Sequence, residues 1–404
     1  MVDSGVCSRT RTIAAWAAIL VFTANACLAA PAESVGASSL KMRGIMIDMI
    51  RLIERDKVYI DMLEQVHQWK MNTLFLHFTD SNGCTLELKT HPELVSRHAM
   101  TQETLAALTT RGREIGVDIV PEVEAWGHAG WITSKHPDLA ETGSDSLCIS
   151  NESIYPLLDE VIKEVAGLFP GPYIHIGMDE ATFAKDEQCL IRAKKIGQGR
   201  MMSEHINRVN AIVQKYGKTS IIWADVVLRY PDALNTLDKS VICENWDYKS
   251  SVTPDGLRKL KAAGLTTIAA PALVWNGWRL MPSSDNLENV CKFALQAKAE
   301  GAMGLVATIW VPTRWVPGSL GPGIAWTGAQ CENPGSQDLP GLMKRYSATR
   351  FGIAPTANLT QALVRCAANV GQEDLSAGFW WKKGMLVSHS EAPIRQLDMD
   401  YSVS

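Results

Sequence analysis

Asp179 and Glu180 stand side by side in the run His175-Ile-Gly-Met-Asp-Glu. Two adjacent carboxyls suit a reaction in which one group moves a proton and its neighbour holds developing charge. Other residues capable of chemistry fall into seven further groups along the chain. They are Asp48 with Arg51; His77, Thr79 and Asp80; Glu122, Glu124, Trp126 and the Gly127-His128 pair; Trp223 and Asp225; Glu244, Trp246, Asp247 and Tyr248; Trp275 and Trp278; and Trp310 with Arg314 and Trp315. Tryptophan is over-used, with 13 Trp against 8 Tyr and 8 Phe. Flat indole faces suit the apolar faces of sugar rings, though a lone Trp also serves as plain core.

Three chemistries draw on such a set. A metal-dependent barrel hydrolase would use His77, His128 and His175, but no His-x-His opens the pattern. An enzyme of phosphorylated sugars would want a late glycine-rich loop, for which Gly318 and Gly321 are thin support. Glycoside hydrolysis wants paired carboxylates plus aromatic platforms and fits best. A non-catalytic amino-sugar-binding barrel is the alternative of a different class, although binding alone needs no acid. A strand-end Asp can also be no more than a helix N-cap.

The elements that must position these residues are short β-branched apolar runs alternating with helical patterns. Strands are expected at 43–48, 72–78, 117–123, 173–177, 220–224, 241–246, 265–270 and 303–310. Helices are expected at about 56–70, 101–115, 153–167, 201–216, 231–237, 253–263, 285–300 and 338–350. Gly116, Gly264 and Gly301 fall where helices should end. Continuous apolar strands indicate a parallel sheet buried on both faces. Eight βα repeats indicate an α/β fold of the (β/α)8 TIM-barrel type, with a C-terminal helical tail. An open doubly wound sheet is the runner-up, but no Gly-x-Gly-x-x-Gly turn is present. In a barrel the polar groups above all fall at the C-terminal strand ends, where chemistry gathers.

The run "HIGMDE" resembles the His-x-Gly-x-Asp-Glu motif of glycoside hydrolase family 20, the β-N-acetylhexosaminidases. "RGIMIDMIR", "NTLFLHFTDSNG", "PEVEAWGHAG", "WADVVL" and "WDY" are similar to the family's other strand-end patterns, in order, over about 40–330. The resemblance implies removal of terminal β-linked N-acetylglucosamine or N-acetylgalactosamine. The substrate's own acetamide would be the nucleophile, giving an oxazolinium intermediate. It implies Glu180 as general acid and base, with a pKa raised by its neighbour, and Asp179 as the partner of the acetamide N–H. His128 and Asp80 would stand behind Glu180. Arg43 would bind sugar hydroxyls, and His175, Trp223, Trp246, Tyr248 and Trp310 would line the substrate, with Tyr248 replacing a missing family tyrosine. No metal or organic cofactor is required. The partner implied is an N-acetylhexosamine-bearing glycan. The chain departs from the family at Met178, where glycine is usual, and at Trp310-Val-Pro312, where Trp-x-Glu is usual. About ten residues separate the expected leader from Arg43, so the small α/β domain that often precedes the barrel should be missing. These features resemble a single-domain, hexosaminidase D-like branch.

Residues 1–30 read as a secretory leader. Arg9 and Arg11 precede an uncharged apolar run, Thr12 to Ala24, followed by small residues. The barrel is assigned to 40–352 and the helical extension to 353–404. A leader implies a secreted, periplasmic or lysosomal destination and, once it is cleaved, no membrane attachment. Removing Cys7 and Cys27 leaves seven widely spaced cysteines without a Cys-x-x-Cys pair, which read as buried thiols rather than a close-spaced zinc site. The 404 residues are 46% hydrophobic and 20% charged, enough for a large core. Lys+Arg (39) trail Asp+Glu (43), for a net charge of −4, so nucleic acid is not an expected partner.

Overall fold

The computed structural model describes residues 40–51, 53–182, 185–275, 282–310, 319–352 and 356–368. The leader, Trp278, Arg314, Trp315, Gly318 and the tail from 369 lie outside the described residues. Eight parallel strands close on themselves: β1 (Met42–Asp48), β2 (Thr73–His77), β3 (Asp118–Glu122), β4 (Tyr173–His175), β5 (Thr219–Trp223), β6 (Ile242–Trp246), β7 (Thr266–Ala270) and β8 (Gly304–Ile309). Each pairs with the next, and β8 pairs back onto β1, so no edge is left open. Helices follow the strands around the outside, as in a (β/α)8 barrel.

Strand alternation sorts the residues. Ile45, Ile47, Leu74, Leu76 and Ile119 belong to the layer between sheet and helices. Met46, Phe75, Val120, Ile221, Ile242, Ile268 and Val306 fill the lumen as a separate apolar plug. Two residues further along each strand, on the same inward face, stand Asp48, His77, Glu122, Trp223, Glu244 and Thr308, joined by His175 of β4. Asp48, His77, Glu122 and His175 lie opposite one another in the strand register. The period of two therefore lays a polar tier directly on the apolar plug, at the C-terminal end of the barrel.

Besides the short turns Gly130–Thr133 and Asp225–Arg229, two longer helices depart from the expected pattern. Glu187–Ile196 precedes Gln198–Lys215, and Gly321–Glu332 precedes Leu339–Phe351. Gly321–Glu332 opens Gly-Pro-Gly and is buried nearly all round, so its packing overrides its poor local propensity. The tail holds the helix Ala357–Ala368, which packs on Leu339–Phe351. Among the described residues no helix is long and apolar enough to cross a membrane.

Candidate active site

Above the polar tier, two backbone segments take up left-handed geometry. Among the described non-glycine residues positive φ occurs at Lys70, His128 (φ 47), Met178 (φ 87) and Glu180 (φ 46), and the last three meet at one place. Such conformations cost about 1–3 kcal/mol each and persist where surrounding structure enforces them. The enforcing contacts are visible. Met178 N–H donates to Glu124 Oε2 at 3.2 Å, and Glu180 N–H donates to Asp225 Oδ2 at 3.2 Å. Gly127 passes so close beneath the pair that a Cβ there would sit 1.9 Å from the Asp179 carbonyl oxygen. At Gly177 (φ +66) a Cβ would meet the Glu124 carboxyl at 1.8 Å. Gly127→Ala should therefore cost about 1–3 kcal/mol by overpacking. It should also lower turnover in the surviving folded fraction, because relief moves Asp179; thermal melting and per-molecule rates check both.

These segments bring His128, Asp179 and Glu180 together. His128 Nε2 lies 3.3 Å from Glu180 Oε2 and 3.7 Å from Asp179 Oδ2. On its other side, His128 Nδ1 lies 3.3 Å from Ser81 Oγ, which donates to Asp145. Burial alone would lower the His128 pKa, but the hydrogen bond with Glu180 and the fields of Asp179 and Asp80 raise it to about 9. The histidine is therefore a cation at neutral pH. The stability it contributes is complete below its ordinary value near 6.5 and is lost as pH rises through about 9. The melting difference between the parent and His128→Gln should accordingly be largest near pH 6 and shrink above pH 9.

The charge order differs from the sequence expectation. Hydrogen bonding from His128 holds Glu180 below the usual carboxyl range, although Asp179 was expected to raise it. Glu180 is 58% exposed, and the desolvation that opposes that bond is the lesser effect. Burial pushes Asp179 up instead, with His128 opposing. Glu124, fully buried beside Asp179 and Glu122, is raised further by burial and by both neighbours. Glu124 Oε1 and Asp179 Oδ1 both lack a donor. The hydrogen bond between the two carboxyls raises Glu124 and lowers Asp179, which favours the proton on Glu124 and the charge on Asp179.

Beneath the pair runs a buried chain. Arg51 bridges Asp48 (2.6 Å) and Asp80 (2.9 Å); Asp80 meets His77 Nε2 at 3.1 Å, and His77 Nδ1 bonds Glu122. Glu122 Oε1 accepts the Trp223 indole N–H at 2.6 Å. The arginine beside it keeps Asp80 well below the carboxylate range despite burial. Against the desolvation of its site, Glu122 and Asp80 raise His77 to about 10. His77, Glu122 and Glu124 each offer an atom suited to a metal, within 4.8 Å of one another. Both His77 nitrogens are already engaged by carboxylates, so the trio reads as a hydrogen-bonded chain.

One wall is aromatic. Trp246 stacks on Tyr248 with centroids 5.1 Å apart, Tyr248 meets Trp275 at 5.3 Å, and the Trp310 indole donates to the Tyr248 hydroxyl at 2.9 Å. Burial, with Asp179 and Glu244 nearby, raises the Tyr248 phenol well above its usual value.

Three expected site residues are placed elsewhere. Arg43 lies near the N-terminal end of β1, at the opposite end of the barrel. Its guanidinium is spent on the carbonyls of Leu40 and Lys70, away from the Asp179–Glu180 pair. Arg51, eight residues on, is the arginine at the site. His175 is fully buried in the lumen, 3.4 Å from Glu122 and 3.5 Å from Glu244, with Nδ1 accepting Gly177 N–H at 3.1 Å. Trp223 is 1% exposed and packs on His175. These two support the site from below rather than lining it. Asp80 stands with Arg51 and His77; the group bonded to the far side of His128 is Ser81. Ser81 and Asp145 are absent from the expected groups, and Glu124 is among them without a role. The inward parity of β3 points to Glu124 and the short step from Asp80 points to Ser81, whereas nothing in the spacing points to Asp145.

The C-terminal end of the barrel thus brings together one exposed carboxyl, one buried carboxyl, a histidine between them and an indole-phenol wall. The catalytic-domain model of glycosyl hydrolase family 20 matches residues 40–276, and the chain belongs to that family. It is 26% identical over 219 residues to a beta-hexosaminidase of Porphyromonas gingivalis, covering 46% of this chain and 28% of that protein. It is 28% identical over 248 residues to the human beta-hexosaminidase subunit beta, covering 56% and 44%. The chain thus spans less than half the length of these relatives. Among solved structures it resembles a Flavobacterium johnsoniae chitobiase, with TM-score 0.63, 24% identity, and 82% and 53% coverage. It also resembles a beta-N-acetylhexosaminidase from Bacteroides fragilis, with TM-score 0.64, 19% identity, and 78% and 71% coverage.

Proposed function

We propose that this chain is a secreted β-N-acetylhexosaminidase that removes terminal β-linked N-acetylglucosamine or N-acetylgalactosamine with retention of configuration. The observation that carries the reading is His128 held between Asp179 and Glu180 beside the Trp246–Tyr248 wall. In this reading the 2-acetamido oxygen attacks the anomeric carbon and closes an oxazolinium ring. The leaving oxygen takes its proton from Glu180, and Glu180 then deprotonates the water that opens the ring. Asp179 accepts the acetamide N–H and faces the positive charge as it grows. In the free protein Glu180 is held ionised by His128. A sugar that covers its exposed face removes water and moves its pKa upward, toward the value a general acid needs.

Paired chromogenic β-N-acetylglucosaminide and β-N-acetylgalactosaminide substrates test the reading. Release from either, with competitive inhibition by a thiazoline analogue of the intermediate, supports it. Binding without release would assign the alternative, a non-catalytic amino-sugar-binding barrel. A covalent sugar trapped on a carboxylate of the chain would replace the acetamide with a protein nucleophile.

A further inference from the structure

A second cluster of reactive side chains lies beside the active site and outside its chemistry. The loop that follows β3 supplies Glu141 and Cys148, and the helix Glu187–Ile196, which follows Glu180, supplies Cys189. All three are buried, at 1%, 5% and 0% exposure. One ligand atom from each lies within 4.8 Å of the others, and the two sulfurs are 3.5 Å apart. Two metal–sulfur bonds of about 2.3 Å at a tetrahedral angle place sulfurs about 3.8 Å apart.

Glu141 divides its oxygens. Oε1 accepts the Lys185 N–H at 2.7 Å and the Asp186 N–H as well, whereas the buried Oε2 meets no nitrogen or oxygen donor, with only the weak Cys189 thiol beside the carboxyl. A buried carboxylate oxygen without a donor is costly unless a cation meets it. Hydrogen bonds on the other oxygen are what fix a carboxylate as a ligand. Ser150 Oγ lies 3.3 Å from Cys189 Sγ, where it or a water can complete the shell.

We propose that Glu141, Cys148 and Cys189 form a structural site for one thiophilic divalent cation of the zinc class. Thiolates select such an ion over magnesium or calcium. Binding forms two metal–sulfur bonds and releases the two thiol protons to solvent. The site clamps the loop after β3 to the segment carrying Glu180. That seam already holds the Thr182 N–H to Ser146 Oγ bond at 3.0 Å, and it continues through Asp145 and Ser81 to His128.

The test titrates cadmium or cobalt into the full chain after reduction and chelation. The expected result is about one equivalent bound, with thiolate-to-metal charge-transfer absorption. Two fewer thiols should react with an alkylating reagent, and melting temperature should rise to a plateau. The Cys148→Ser, Cys189→Ser double variant should lose the absorption. Glu141→Gln, whose amide oxygen still accepts the Lys185 and Asp186 N–H groups, should keep it while binding at least about tenfold more weakly. If the double variant does not fold, Glu141→Gln carries the comparison. The proposal is overturned if the reduced parent takes up no ion, if the double variant takes up as much as the parent, or if Glu141→Gln binds equally tightly. A Cys148–Cys189 disulfide whose reduction still yields no metal uptake overturns it too.

Discussion

Glu180→Gln should lower turnover of a glycoside with a poor leaving group by about 10²–10⁴-fold, the usual worth of a general acid–base residue. That loss is roughly 2.7–5.5 kcal/mol of barrier. The fold should hardly notice. Glu180 is more than half exposed, and an ion pair at such a site contributes at most about 1 kcal/mol. The Glu180 backbone N–H still reaches Asp225, and a glutamine oxygen still accepts from His128 Nε2. Chromogenic substrates whose leaving groups need little protonation should be partly spared. Melting temperature and sugar binding close to those of the parent, with a collapsed rate on natural glycans, is the expected combination. Parent-like turnover of a natural glycan by this variant would remove Glu180 from its role.

The barrel was legible in the sequence because its signals are local. Each strand is a short, largely apolar run, and glycine stands after the helices ending at Ile115 and Glu300, where the structure has left-handed caps. The Asp179–Glu180 pair was legible as adjacent residues, and His128 as part of a matching run. What the sequence hid depends on parity and close packing. Arg43 and Arg51 frame the same strand, and only strand direction says which one lies at the C-terminal end. His175 and Trp223 have the right types for a sugar site, yet the inward face of their strands drops them one tier too low. The reversed charge order at Glu180 and Asp179 follows from exposure, which no linear spacing reports. The helix Gly321–Glu332 was hidden by its glycines. There a Cβ at Gly328 would lie 2.5 Å from the Trp69 carbonyl oxygen, so close packing rather than flexibility accounts for that glycine.

Asp179→Asn keeps the shape of its side chain and removes the charge. A charge-assisted hydrogen bond at this position is worth about 1.5–3 kcal/mol, or roughly 10–150-fold in rate. The loss should fall on kcat more than on KM, because the positive charge it faces develops toward the transition state. A purely structural role as helix cap makes a different forecast: early melting with normal turnover per folded molecule. The fold already weakens that reading, since the helix that follows begins at Glu187, and its cap is Asp186, whose side chain accepts the Gln188 N–H. Asp179 instead points one oxygen toward His128, while the other has no donor, as does Glu124 Oε1. In the parent, the hydrogen bond between the two carboxyls favours the proton on Glu124. In the variant, the new amide can donate to Glu124, which then no longer needs its proton and can ionise. The double variant Glu124→Gln, Asp179→Asn should therefore lose less than the sum of the two single losses, because both changes act on one shared proton. Additive losses in that cycle would separate the two carboxyls and leave Asp179 charged without help from Glu124.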